Sequence, residues 1–403
     1  MKKKEKWMKF RHKVAWIVLY PLFALITVLK FPIRIEPLSG DRKRPYLILF
    51  NHQTPFDQFF VCLAFRGPIY FVATEDIMSN GLVSKIIKWV IAPIPIKKQA
   101  GDFSAVINVL RVAREGATIA MAPEGNRTYS GKTEYINPAV AGLAKKMKLP
   151  VALFRIEGGY GMEPRWSSVT RRGTMRGYVH RVIEPDEYAK MSNEELYDAI
   201  CEGLYVNEGA ADGRFRSNKK AEYLERAMYV CPFCGLSKFE SHGNEAECLT
   251  CHRKITYGED KTITGIGYEF PFRFMTQWYD YQNDYINSLD ISLIKDEPAF
   301  RDHAKMSAVI LNKRKELLRT DAQIALYGDR VVIDEGREDA LTFSFSEVTA
   351  VSVLGRNKLN IYHGSSTYQF KGSKRFNAMK YVNFYYRYKN ISRGESDNTF
   401  LGL

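Results

Sequence analysis

Between residues 45 and 156, short apolar runs alternate with stretches of helical period. PYLILF (45–50), IYFVAT (69–74), ATIAMAP (117–123) and VALFRI (151–156) read as strands: brief, mostly aliphatic and aromatic, and ended by polar turns. Residues 56–65, SKIIKWVIA, DFSAVINVLRVARE and PAVAGLAKKMK space their apolar positions three and four apart, as helices do. This alternation predicts a three-layer α/β domain with a mainly parallel sheet over 45–208, its site at loops beyond the carboxyl ends of the strands. From about residue 306 the texture changes to AVILN, ELLR, QIALYG, RVVID, LTFSF, TAVSVL, KLNIYH and STYQFK. Turn signals at Gly328-Asp329, Asp334-Glu335-Gly336 and His363-Gly364 divide them. A mainly-β domain of about seven antiparallel strands is expected over 306–390, closed by a helix at 374–388.

The rest of the chain divides by composition. Residues 209–226 read as a polar linker running into a short helix, 227–258 hold four paired cysteines, and 259–305 form an aromatic-rich connecting segment with one helix. The tail, 391–403, reads as flexible. No internal repeat is evident.

Charge changes the picture at the front. The 403 residues carry 59 Lys plus Arg against 45 Asp plus Glu, a formal charge of +14, which points to an anionic partner. Residues 1–44 hold twelve basic and three acidic side chains, so +9 of that charge lies there. The same stretch contains a charge-free apolar run, 14–29, that would rise about 24 Å as a helix against a hydrocarbon core of about 30 Å. Pro21 argues against one straight spanning helix, and TVLKFPIRIEP offers no small-residue cleavage site. Residues 1–44 are therefore expected to be a retained membrane anchor, monotopic or a single segment, with its cations on anionic headgroups. The alternative is a hydrophobic helix packed on the protein's own core.

Cys231, Cys234, Cys248 and Cys251 fall in CPFCG and CLTCH, two C-x2-C pairs separated by thirteen residues. That spacing predicts one structural zinc held by four thiolates in a zinc ribbon. CLTCH also matches the C-x-x-C-H of haem attachment, but the CPFC knuckle accounts for all four cysteines together. Disulfides would need secretion, for which there is no signal, and zinc thiolates suit a reducing cytosol. Cys62 and Cys201 read as core residues. The ribbon's Glu240, Glu245 and Glu247 against Lys238 make a poor phosphate surface, so no nucleic-acid partner is expected.

The polar motifs sit at strand ends. In NHQTPFD, His52 and Asp57 are five residues apart, about 140° of rotation on a helix, so they meet only if His52 lies in the loop before it. Thr54 would then cap the helix, with Pro55 first and Asp57 third. A carboxylate on one imidazole nitrogen leaves the other free to take a proton from a hydroxyl, while Thr54 with Asp57 could equally be a capping box. In PEGNRT, Gly125 permits a tight turn, Arg127 can grip a phosphate in bidentate fashion, and Glu124 can orient it or bind a hydroxyl. Lys97 and Lys98, in IAPIPIKKQ, are a further phosphate contact or a solvated turn. Leu149-Pro150 reads as structural.

Together these blocks resemble the glycerophospholipid acyltransferase family, whose best-known members are the lysophosphatidic acid acyltransferases. NHQTPFD is similar to its H-x4-D block and PEGNRT to its E-G-x-R-[ST] block, Thr128 included; IPIKK and LPVALF correspond to two others, in order, over roughly 45–205. The resemblance implies that His52, oriented by Asp57, deprotonates a lysophospholipid hydroxyl that attacks acyl-CoA or acyl-carrier protein. It also implies that Glu124, Gly125, Arg127, Thr128, Lys97 and Lys98 bind the acceptor. The product would be phosphatidic acid, made at the cytoplasmic face of the cell membrane. Lys97-Lys98 stands where Asp-Arg is usual, which leaves the acceptor open between lysophosphatidic acid and another lipid. An inactive membrane scaffold is the alternative. By pattern alone, the C-terminal strands resemble a pleckstrin-homology-like or GRAM-like barrel.

Overall fold

The computed structural model describes residues 6–65, 67–74, 82–96, 103–309, 315–395 and 399–402. They divide into two compact units: 1–162 with 173–213, and 163–172 with 214–403.

The first unit is built on a seven-stranded mixed sheet. In chain order its strands are β1 (Ile33–Ile35), β2 (Leu47–Phe50), β3 (Ile69–Thr74), β4 (Ile94–Ile96), β5 (Thr118–Met121), β6 (Val151–Glu157) and β7 (Met175–Ile183). They lie in the order β1-β7-β6-β2-β5-β3-β4. The five strands from β6 to β4 are parallel, whereas β7 runs antiparallel to β6, with β1 parallel to β7. The expected parallel sheet is thus its central part. β7 escapes the sequence reading because Arg176, His180 and Arg181 break its apolar alternation. β2 is buried at every position, which is why LILF is a continuous apolar run without alternation.

Helices cover both faces. α1 spans Phe10–Lys30 and α2 Asp57–Phe65; α3 is Leu82–Val90, α4 Phe103–Arg114 and α5 Ala139–Met147. Two single turns, α6 (Gly159–Met162) and α7 (Pro185–Tyr188), precede α8 (Asn193–Leu204). Leu47, Leu49, Val151 and Leu153 pack against Val109 and Val112 of α4, Val140 of α5 and Ile200 of α8. On the opposite face Phe154 meets Phe65 of α2, ring centroids 6.2 Å apart. Next to α2 lies α1, through Phe23 on Phe59 and Phe31 on Phe60. The helix runs unbroken through Pro21, so the 16-residue reading of the anchor is too short: its 21 residues rise about 31 Å. α1 is long and apolar enough to cross a membrane.

The second unit begins with small antiparallel pieces. β8 (Val230–Cys231) pairs with β9 (Gly235–Leu236), and β10 (Phe239–His242), β11 (Glu245–Cys248), β12 (Lys254–Tyr257) and β13 (Ile263–Gly265) form a meander. α9 (Met275–Ser288) follows. Then come β14 (Phe300–Ala308), β15 (Glu316–Leu326), β16 (Arg330–Ile333), β17 (Leu341–Ser344), β18 (Val348–Leu354), β19 (Lys358–His363), β20 (Ser366–Gly372) and α10 (Met379–Ser392). β14 to β20 make one antiparallel sheet in the order β17-β16-β15-β14-β20-β19-β18. α10 packs on it through Tyr385, whose hydroxyl donates to the Val348 carbonyl at 3.1 Å.

Four expectations change here. The first strand of the sheet is FRDHAKMSA, which buries Phe300, Ala304 and Met306 between charged residues; of the expected AVILN (308–312), Ala308 is its last residue and 310–312 lie outside the described residues. ELLR and QIALYG are one strand of 11 residues. The supposed linker is packed, with Phe215, Ala221 and Leu224 buried and Tyr223 N–H donating to Ser241 at 2.7 Å. The tail is tied down as well: Asn383 and Asn390 donate to the carbonyls of Leu401 and Phe400 at 2.8 and 3.1 Å. Asparagines spread along one helix face gave no hint in the sequence that they would hold a distant segment.

Candidate active site

Strand order explains how motifs 72 residues apart meet. β2 lies between β5 and β6, all parallel, so the residues after Phe50, after Met121 and after Glu157 emerge side by side at the carboxyl edge. Asn51 bridges β2 to β6: its amide donates to the Ile156 carbonyl at 2.8 Å and its oxygen accepts Ile156 N–H at 2.7 Å. His52 follows in the loop, and α2 starts at Asp57.

The His52 Nδ1 lies 2.8 Å from Asp57 Oδ2. The imidazole is about a quarter exposed (26%), whereas the carboxylate is wholly buried (0%). Oδ2 also accepts Gln53 N–H at 2.7 Å, and Thr54 donates its N–H and hydroxyl to Oδ1 at 2.9 and 2.7 Å. One carboxylate therefore closes the turn before α2 and fixes the imidazole at once. Capping and dyad, which compete in the sequence reading, coexist in one side chain. The helix begins two residues after Pro55, and Thr54 Oγ1 accepts from Phe56 N–H at 3.1 Å, not from Asp57 as a regular cap would.

The PEGNRT turn grips the His52 backbone from both sides. Glu124 Oε1 accepts His52 N–H at 2.7 Å, and Thr128 N–H donates to the His52 carbonyl at 3.1 Å. Glu124 Oε2 accepts Glu134 N–H at 2.7 Å. Burial pushes the Glu124 carboxyl well above its ordinary range, against the pull of those two N–H groups. Gly125 makes the turn at φ +68°. Arg127 is half-buried on the same turn. Thr128 is fully buried, its hydroxyl donating to Glu134 Oε1 at 2.9 Å. Glu124 and Thr128 thus spend these polar atoms on loop architecture, where the sequence reading had them touching an acceptor. Lys97 and Lys98 lie outside the described residues.

The sequence reading missed Glu134 and the floor of the loop. Glu134 is buried, which raises its carboxyl's pKa, and it collects the Thr128 and Ser130 hydroxyls. Beneath His52, Gln53 Oε1 accepts Tyr160 N–H at 3.0 Å, bringing α6 against the loop. A Cβ on Gly159 would stand 2.6 Å from Gln53 Cβ. The glycine pair directly after β6, in EGGYG, was the available signal. Gly159→Ala should therefore lower stability by about 1–3 kcal/mol and depress turnover through displacement of the loop. An unchanged melting temperature would contradict this packing.

In the second unit, Cys231, Cys234, Cys248 and Cys251 have sulfurs within 4.8 Å of one another and could hold a metal ion. Cys231 lies 3.8 Å from Cys251 and Cys234 3.6 Å from Cys248. A tetrahedron with metal–sulfur bonds of about 2.3 Å has edges of about 3.8 Å, so the donors fit zinc in number, type and spacing. His252 is largely exposed and pairs with Glu247 at 2.9 Å. Cys62 is buried and Cys201 half-buried against the core, and burial raises the pKa of both thiols.

Residues 34–156 match the family model named Acyltransferase. A solved structure, the 1-acyl-sn-glycerophosphate (LPA) acyltransferase PlsC from Thermotoga maritima, is similar at 21% identity and a TM-score of 0.41, over 49% of this chain and 80% of that one. No curated protein matches the chain.

Proposed function

We propose that this chain, whose residues 34–156 match the acyltransferase family model, moves a fatty acyl group from a thioester onto a lysophospholipid. The observation that carries the reading is the His52–Asp57 contact at 2.8 Å, with the acid buried and the imidazole reachable from solvent. Nδ1 is committed to Asp57, so Nε2 is the nitrogen that takes the acceptor's hydroxyl proton. The hydroxyl oxygen bonds to the thioester carbonyl carbon, the tetrahedral adduct expels the thiolate, and the imidazolium returns its proton to sulfur. An ester and a free thiol result. Asp57 stabilises the imidazolium between these steps without leaving its own hydrogen bonds.

Arg127, on the turn that holds His52, is the residue for the acceptor's phosphate. Arg127→Ala should raise the acceptor's KM by ten- to hundredfold, the loss of a charged hydrogen-bonded contact, with less effect on the donor's. Equal losses for both substrates would count against that role. Lysophosphatidic acid, giving phosphatidic acid, is the acceptor of choice, and acyl-CoA or acyl-carrier protein the donor. The deciding experiment is mass spectrometry of products from purified protein given mixed lysolipids and both donors; no acyl transfer to any of them would leave the scaffold reading.

Attachment to the cytoplasmic face of the membrane is monotopic in this reading. α1 exposes Phe10, Ile17, Val18, Leu25 and Leu29. Both its flanks are tied to the same unit, through Trp7 Nε1–H on the Ala92 carbonyl at 2.9 Å and buried Phe31 on Phe56. A helix fastened at both ends lies along the lipid surface more readily than across it. The four cysteines would hold a structural zinc, whose contribution is to join the two hairpins around it. The C-terminal sheet and α10 would be a pleckstrin-homology-like module.

A further inference from the structure

A cleft at the other edge of the sheet carries charge of one sign. It holds about 360 Å3, and Lys6, Lys9, Arg11 and Arg111 line it together with Trp7 and His12. That volume lies within the range of ligand sites, about 300–1,000 Å3. Glu115 stands beside it, but its two oxygens accept the N–H groups of Trp7 and Met8 at 3.0 and 2.9 Å, and it faces Arg111 at 3.6 Å. Glu115 is thus already engaged by the backbone and by Arg111, and the lining itself carries four cations.

The walls are fixed in place. The Arg11 guanidinium lies 5.4 Å from the Trp89 ring centroid, and its Nε–H donates to the Trp89 carbonyl at 3.1 Å. His12 is buried; its Nδ1 meets the Tyr70 hydroxyl at 3.0 Å, and its Nε2 has no partner among the described residues. The first turn of α1 forms part of the wall, so the positive end of a 21-residue helix adds to the field. Tyr70 is the second residue of β3 and Arg111 is near the end of α4, whereas His52 follows β2 at the carboxyl edge. The cleft is thus separate from the dyad.

Beside the cleft the surface is apolar: Phe10, Ile86 and Trp89 are 81%, 62% and 59% exposed. A soluble phosphate would match the cations but leave this rim in water. A lipid satisfies both, and a tryptophan at their junction sits as it does at membrane interfaces. We propose that the cleft binds the phosphate of an anionic membrane lipid, whose acyl chains lie against the exposed faces of α1 and α3. This rests on the membrane attachment proposed above and adds to it a defined headgroup site.

The test uses the full chain and sedimentation with phosphatidylcholine vesicles, with and without about a fifth of phosphatidylglycerol. Arg11→Ala with Arg111→Ala should cut binding to the anionic vesicles about thirtyfold, at about a factor of five per cation, and leave binding to neutral vesicles unchanged. Lys9→Ala with Arg111→Ala should do the same, which separates charge from the Arg11 stacking on Trp89. Lys146→Ala with Lys190→Ala, an equal charge loss at two exposed lysines of the same unit, should keep the preference. Either cleft pair retaining the preference, or the control pair losing it equally, overturns the site. So does inorganic phosphate erasing the preference at constant ionic strength, because the cleft would then take soluble phosphate. Failure of the parent protein to bind either vesicle would refute the membrane reading itself, and this site with it.

Discussion

His52→Ala is expected to cut acyl transfer by about 10²- to 10⁴-fold and leave the melting temperature almost unchanged. The reason lies in which atoms the substitution removes. His52 donates its N–H to Glu124 and accepts from Thr128 through its backbone, and alanine keeps both bonds. Asp57→Ala should behave differently. It removes the acceptor of the Gln53 N–H, the Thr54 N–H and the Thr54 hydroxyl in a buried loop. Each donor left unsatisfied costs about 1–3 kcal/mol, so this variant should lose both activity and several kcal/mol of stability. Measuring rate and melting on the two variants separates chemistry from architecture. If His52→Ala keeps its activity, the assignment of the dyad fails.

Removing metal should have the second large effect. Two-residue strands such as β8 and β9 hold too little backbone pairing to persist alone. What surrounds them depends on their staying put: Trp278 Nε1–H donates to the Val230 carbonyl at 2.9 Å, and Gln282 accepts Tyr229 N–H at 2.8 Å. Structural zinc in small thiolate sites contributes about 10–16 kcal/mol, comparable to the whole stability of a domain. Purified protein should therefore carry one zinc per chain by elemental analysis. A strong chelator, or Cys248→Ser, should unfold the region around residues 227–258 and expose Trp278 to solvent, read by its fluorescence. Metal-free protein with an unaltered melting curve would show that the thiols need no ion.

The sequence was most legible where one physical demand dominated. PYLILF and VALFRI are central parallel strands buried on both faces, and no other local structure suits so short an apolar run. NHQTPFD was legible because His52 and Asp57 can meet only across a loop-to-helix junction. β7 and β14 were missed because charged residues line their outer faces, and their buried positions are few. Glu134 was missed for a related reason: its carboxylate serves Thr128 and Ser130 in a turn without any periodicity. Glu124 was picked out as a candidate for the acceptor, but a sequence shows a carboxylate without showing the His52 and Glu134 N–H groups that its oxygens accept.

The short excursion at residues 163–172 has a consequence in time. This segment leaves the first unit after α6 and belongs to the second, where Trp166 meets Tyr257 with ring centroids 5.9 Å apart. Its partner Arg226 donates to the Trp166 carbonyl at 2.9 Å. During synthesis Tyr257 emerges about ninety residues after Trp166, roughly 5–20 s later at ordinary elongation rates. Throughout that interval Trp166 lacks the ring that it packs against. Expression of residues 1–213 alone should make the delay permanent and give a fragment prone to aggregate.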